Sequence, residues 1–262
     1  MKDLTPPTVD TARVARSFRR GLGSYHDAAS AQARIAADLS ALLAKHLDGA
    51  PVAHLFEFGA GTGHLTDALL RDVSVDRLTL NDLVAEAEAG LQSRLGAHGR
   101  SATFLPGRIE DLDLPQGLDL IAGASVVQWI CDLPSLLQRF ATALQPGGWL
   151  ALSGFGHAHF HELVALGSDA AAPNYMDHHD WQQVLPDGLH LTELRQAPIT
   201  LRFDSPRAVL RHLRETGVNG QSRGGWSRSR LRRFEDAYRA QFPHQGGVRL
   251  TYDPVLVLAR RV

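Results

Sequence analysis

The run Glu57-Phe58-Gly59-Ala60-Gly61-Thr62-Gly63 constrains this chain more than any other feature. It follows the apolar, strand-like segment HLFEF (54–58) and opens a helical pattern from His64 to Arg71. Glycines on alternate positions let the backbone turn sharply and let a ligand approach with no Cβ in the way. A strand, a glycine turn and a helix, in that order, form the first unit of an α/β sheet. Such sheets bind ligands outside the carboxyl ends of their strands.

The same rhythm continues. RLTL (77–80), ATFL (102–105), LDLIAG (118–123) and WLALSGF (149–155) are expected as further strands. A helix is expected around 84–95, ended by Gly96 or Gly99, and another from Pro134 to Leu144, stopped by Pro146-Gly147-Gly148. Residues 10–47 are expected as two helices with a break near Gly21 and Gly23. The second, from Asp27 to about His46, carries Ile35, Leu39, Leu42 and Leu43 at helical spacing. From 156 to 189 the pattern weakens, which suggests a mostly helical insertion over the sheet edge. Residues 189–203 return to strand, helices follow at about 206–216 and 227–241, and 248–261 is a last strand. The expectation is therefore a mostly parallel seven-stranded sheet with helices on both faces, residues 1–48 as an N-terminal helical lid, and 49–262 as the main domain.

Composition narrows the function. The chain has 262 residues, 44% hydrophobic and 21% charged, enough for a sizeable core. Its formal net charge of −1 predicts no nucleic-acid partner. No apolar run is long enough to span a bilayer, and the first residues lack the apolar stretch of a secretory signal. Cys131 is the only cysteine, so a disulfide framework is excluded and a cytoplasmic location is expected.

A glycine turn by itself could hold a dinucleotide pyrophosphate. Three details favour S-adenosylmethionine. Glu57 precedes the first glycine by two positions, the glycines fall on alternate residues rather than as G-x-G-x-x-G, and Asp82 closes the second strand where a carboxylate can take both ribose hydroxyls. A helix cap before Val84 is the plainer role for Asp82.

Across nearly its whole length the sequence resembles the malonyl-acyl carrier protein O-methyltransferases of biotin synthesis. The resemblance rests on Phe18, Arg20, Tyr25 and Gln32 in the pattern F-x-R-x4-Y-x6-Q, on LFEFGAGTG, and on Val127-Gln128-Trp129 followed by Asp132-Leu133. It extends to Pro198-Ile199-Thr200-Leu201, Phe203-Asp204, Thr216-Gly217-Val218-Asn219 and Leu250-Thr251-Tyr252. Arg108 stands where the family usually has Asp, and Gly123-Ala124 where it often has Ser-Asn.

The resemblance implies a Rossmann-like class I methyltransferase fold. It also implies methyl transfer from S-adenosylmethionine to the free carboxylate of malonyl-acyl carrier protein, leaving S-adenosylhomocysteine and a methyl ester that primes pimeloyl synthesis. It implies a cofactor site at Glu57, Gly59, Ala60, Gly61, Gly63 and Asp82, with Ile109 against the adenine, Glu110 or a backbone carbonyl accepting from its amine, and Arg20 toward the cofactor carboxylate. Tyr25, Gln128 and Trp129 become the active-site residues. The alternatives are another small carboxylate or a quinone precursor as acceptor, a non-catalytic subunit of the same fold, and an RNA methyltransferase.

No Ser/His/Asp or Cys/His arrangement appears in motif form. His157, His159 and His161 alternate, but no acidic or thiol ligand completes a metal set, and none is expected. Arg207, Arg211 and Arg214, with Arg228, Arg230, Arg232 and Arg233, form basic helix faces suited to docking an acidic carrier protein.

Overall fold

The computed structural model describes residues 14–19, 29–168, 172, 174–216 and 227–262. Arg20, Gly21, Gly23 and Tyr25 lie outside these residues, as do Gly217-Val218-Asn219. A helical stretch at residues 14–19 (α1) precedes α2, Ser30–Leu47. The alternating core then runs β1 Val52–Phe58, α3 His64–Asp72, β2 Val75–Asp82, α4 Ala87–Ala97, β3 Thr103–Pro106, β4 Leu118–Gly123, α5 Leu133–Ala143 and β5 Leu144–Phe155. Short 3-10 turns at Ile109–Asp111 and Val127–Trp129 follow β3 and β4.

The main sheet has seven strands. Strands β3, β2, β1, β4 and β5 lie side by side and parallel, so their carboxyl ends share one edge. A late strand, β10 (Pro254–Arg261), inserts antiparallel between β5 and the edge strand β6 (Leu189–Gln196). Both faces are covered. Leu55 of β1 and Leu78 and Leu80 of β2 point into a core shared with Ile35 and Leu39 of α2 and Leu69 of α3. Phe56 and Phe58, on the alternate residues of β1, face Leu136, Leu137 and Phe140 of α5. Burying each of these large side chains contributes roughly 1.5–3 kcal/mol.

The helix stops follow from local chemistry. Helix α4 runs through Gly96 and ends before Gly99, which takes a left-handed φ of 64°. Helix α5 ends one residue earlier than expected, at Ala143. Pro146-Gly147-Gly148 lies inside β5 as a bulge: Leu118 pairs with Leu144 but Leu120 with Trp149. A Cβ on Gly148 would lie 2.9 Å from the carbonyl oxygens of Gln145 and Leu118, so glycine lets that bulge close.

Two expectations need correcting. Residues 189–203 are not one strand, nor are 248–261. Each divides between the main sheet and a separate three-stranded antiparallel sheet of β7 (Ile199–Phe203), β8 (Pro243–His244) and β9 (Gly247–Tyr252). Pro198 has no N–H to donate to a ladder. At the second break Asp253 is buried, and its carboxylate accepts from the Ala158 N–H and the Gln196 amide. Helices α8 (Pro206–Glu215) and α9 (Arg228–Gln241) pack on the small sheet. Among its described residues, the region 156–189 holds two short helices, α6 (His161–Ala165) and α7 (His178–Val184). No helix among the described residues is long and apolar enough to cross a membrane.

Candidate active site

A cavity opens at the carboxyl ends of β1, β2 and β4, beneath α1 and α2. Its floor is the glycine turn. Gly59, Gly61 and Gly63 take φ values of 62°, 55° and 91°, a region that costs an L-residue roughly 1–2 kcal/mol. At Gly59 space also decides, since a Cβ would lie 2.5 Å from Val126 Cγ2. Hydrogen bonds tie the turn to its neighbours. Ala60 N–H donates to Asn81 O at 3.0 Å, and the Asn81 amide donates to Leu105 O and Gly107 O at 2.8 and 2.9 Å. The loops after β1, β2 and β3 are thus one connected rim.

Asp82 is buried at the end of β2. Its Oδ2 accepts from Gly61 N–H at 2.8 Å and its Oδ1 from Val84 N–H at 2.7 Å. Burial raises its pKa, and the two backbone donors oppose that rise. It therefore braces the turn and the next loop, and each oxygen keeps lone-pair capacity for a ligand hydroxyl. Glu57 is fully buried, and Thr66 Oγ1 donates to its Oε2 at 2.8 Å. Burial raises its pKa to about 8; the Thr66 bond lowers it, and Asp67 and Asp82 add to the rise.

Beyond β3, Ile109 is buried on the cavity wall. Glu110 Oε1 accepts from Arg108 Nη2 at 3.2 Å and from Cys131 N–H at 3.3 Å. Arg108, the departure from the usual acid, thus pairs with the neighbouring carboxylate and lines the same wall. On the β4 side Trp129 forms wall and meets Phe18 of α1 edge-on at 5.9 Å. Gln128 behaves differently. It is buried beside the cavity rather than on its wall, and its amide donates back to Ser125 O at 2.7 Å. Gly123 has a packing reason: a Cβ there would fall 2.6 Å from the Phe58 ring.

The structure thus brings Glu57, Gly59, Ala60, Gly61, Asp82, Ile109, Glu110 and Trp129 to one wall and leaves Gln128 behind it. Gly63 caps α3 with its N–H on Ala60 O at 2.9 Å and does not itself line the space. Sequence reasoning gave no wall role to Phe18, Gln32 or Ser125. For Gln32 the signal was present, a polar residue one helical turn before Ile35 on the buried face of α2. For Ser125 it was absent, because its left-handed φ of 55° is visible only in three dimensions.

The alternating histidines separate. His159 is buried and stacks on Phe155 and Phe160, with ring centroids 3.9 and 3.7 Å away. His157 lies beside Asp180 and His161 beside Glu162.

The comparisons agree with this architecture. A family model described as a methyltransferase domain matches residues 56–150. The YcgJ protein of Bacillus subtilis superposes with a TM-score of 0.62 at 15% identity, covering 86% of this chain and 98% of that one. The N-methyltransferase NodS of Bradyrhizobium japonicum, solved with S-adenosylhomocysteine, superposes with a TM-score of 0.51 at 17% identity, over 86% and 85%. A malonyl-(acyl-carrier protein) O-methyltransferase of Chlorobium luteolum is 37% identical over 254 residues, 96% of either chain. With that identity sustained from end to end, the chain belongs to the malonyl-(acyl-carrier protein) O-methyltransferase family.

Proposed function

We propose that this protein transfers the methyl group of S-adenosylmethionine to the free carboxylate of malonyl-acyl carrier protein, giving the methyl ester that primes pimeloyl synthesis for biotin. The observation that carries this is the braced glycine turn, with Asp82 on its Gly61 N–H, at the mouth of a cavity in a chain of this family. The residues fit the cofactor. A Cβ at Gly59 would take up space at the turn, Asp82 keeps acceptor capacity for two hydroxyls, and Ile109 offers an apolar surface to a base. The second oxygen of Glu110 serves the base amine. Bound there, the cofactor supplies an electrophilic sulfonium methyl group.

The acceptor carboxylate is ionised at neutral pH, so the protein needs no strong general base. Its task is alignment and exclusion of water. Phe18 and Trp129 give an apolar cover for that purpose. Arg108 on the wall is already paired with Glu110 and Asp111, which limits how tightly it would hold the acceptor anion. An over-bound anion loses more in the transition state, where its charge is being consumed. Residues 1–48 serve as the lid, with Tyr25 and Arg20 as its polar contributors. Gln128 supports the Ser125 loop through its hydrogen bond and positions Trp129 beside it. The exposed arginines of α8 and α9 receive the acidic carrier protein.

Incubation with labelled S-adenosylmethionine and either malonyl- or acetyl-carrier protein, followed by intact mass, tests this. A methyl gain on the malonyl form alone, reversed by mild alkali, is expected. Equal gain on both forms would exclude carboxyl methylation.

A further inference from the structure

Gln32 is 5% exposed, and its neighbours on the buried face of α2 are Ala31, Ile35 and Ala36. Its Oε1 is shut off from solvent and has no hydrogen-bond partner, yet the side chain lies on the cavity wall. A buried amide oxygen left in that state is a standing cost. An apolar side chain would fill the position without it, so the oxygen calls for a donor that arrives with a ligand.

The layout says which part of the ligand that is. Asp82 and the Gly107–Glu110 loop stand on the β2 and β3 side of the cavity. Helix α2 packs on α3 and β5, so Gln32 reaches the cavity from the opposite side. A nucleoside whose diol meets Asp82 and whose base meets Ile109 directs its 5′ substituent away from both, past the glycine turn. For this cofactor that substituent ends in an amino acid, whose ammonium is a donor with no acceptor capacity. Glu57, another acceptor without an ion-pair partner among the described residues, lines the same cavity. We propose that Gln32 is a further cofactor-binding residue, its side-chain oxygen accepting a hydrogen bond from the ammonium of the cofactor's amino-acid arm. This rests on the cofactor assignment made above.

Calorimetric binding to the full chain tests it without turnover. The ligands are S-adenosylhomocysteine, its analogue lacking the amino group and its analogue lacking the carboxylate. The proteins are wild type, Gln32→Leu, and Gln32→Met, which keeps the side-chain length should leucine prevent folding. A hydrogen bond to a charged group sets the expected loss for S-adenosylhomocysteine at roughly ten- to a hundredfold. The carboxylate-free analogue should lose as much, and the amino-free analogue should bind wild type and variant alike. Equal losses for all three ligands would show a structural role and overturn the proposal. So would undiminished binding, or a loss absent only for the carboxylate-free analogue, which would put the amide nitrogen on the carboxylate. If wild type fails to bind S-adenosylhomocysteine at all, the cofactor assignment itself falls.

Discussion

Glu57 shows how one position joins the sheet to the cavity. It occupies the β1 face that carries Leu55, where an apolar residue would pack, and its carboxyl is held by Thr66. With its pKa raised to about 8, the native protein holds a proton that the unfolded chain releases near pH 4.5. Between those values the native state binds more protons, so this group's contribution to stability falls as pH rises. Glu57→Gln removes that dependence. In urea titrations the variant should match wild type near pH 4.5 and exceed it above pH 8, by a gap of order 5 kcal/mol. Parallel pH profiles for the two proteins would show that Glu57 is ionised in the native state. The three glycines beside it differ in kind: a Cβ at Gly59 meets Val126, whereas at Gly61 its nearest neighbour is Gly59 O at 3.9 Å.

At the scale of elements, the joints matter more than the strands. Four segments converge beside Gly156, at the end of β5. Asp177 Oδ1, at the start of α7, accepts from His157 N–H at 2.9 Å and from the Gln196 amide of β6 at 2.9 Å. That amide also reaches Asp253 Oδ2, between β9 and β10, at 3.0 Å. Gly156, just after β5, leaves room for the knot: a Cβ there would sit 2.4 Å from Asp177 Oδ1, Asp253 Oδ2 and Gln196 Nε2 alike. Gly156→Ala should therefore destabilise the fold by more than about 2 kcal/mol, through overpacking and broken hydrogen bonds at the junction. Alanine at Gly90, where nothing lies within 4 Å, should not. Denaturant midpoints of the two variants decide the matter; similar values would mean the knot yields without cost.

For the whole molecule, charge distribution outweighs the near-zero total. Arg211 and Arg214 on α8 and Arg228, Arg232 and Arg233 on α9 are exposed. Arg207 is held by Glu235, which Arg239 also approaches at 3.8 Å, so it fastens α8 to α9. An exposed ion pair contributes under about 1 kcal/mol, so if these arginines dock the carrier protein, single alanines should be mild. Reversing Arg228, Arg232 and Arg233 together to Glu should slow methylation of malonyl-carrier protein and flatten its salt dependence, with S-adenosylhomocysteine binding intact. Unchanged salt dependence in that variant would move docking elsewhere, with Arg211 and Arg214 next to test.

The alternating segments up to β5 and the glycine turn were legible in the sequence because their determinants are local: apolar runs of strand length, helix periodicity, and glycine where φ must be positive. The family was legible because its motifs are spread over both ends of the chain. What the tertiary structure alone decided depends on distant partners. Residues 189–203 and 248–261 look continuous, but each divides between two sheets: they pair with each other twice, as β6 with β10 and as β7 with β9, and that long-range pairing leaves no local trace in the sequence. Gln128 and Trp129 are adjacent in sequence, and only the turn that follows β4 puts one on the cavity wall and the other behind it. The unpartnered oxygen of Gln32 became visible only once α2 was laid beside the cavity, since hydrogen-bond satisfaction is a property of neighbours in space.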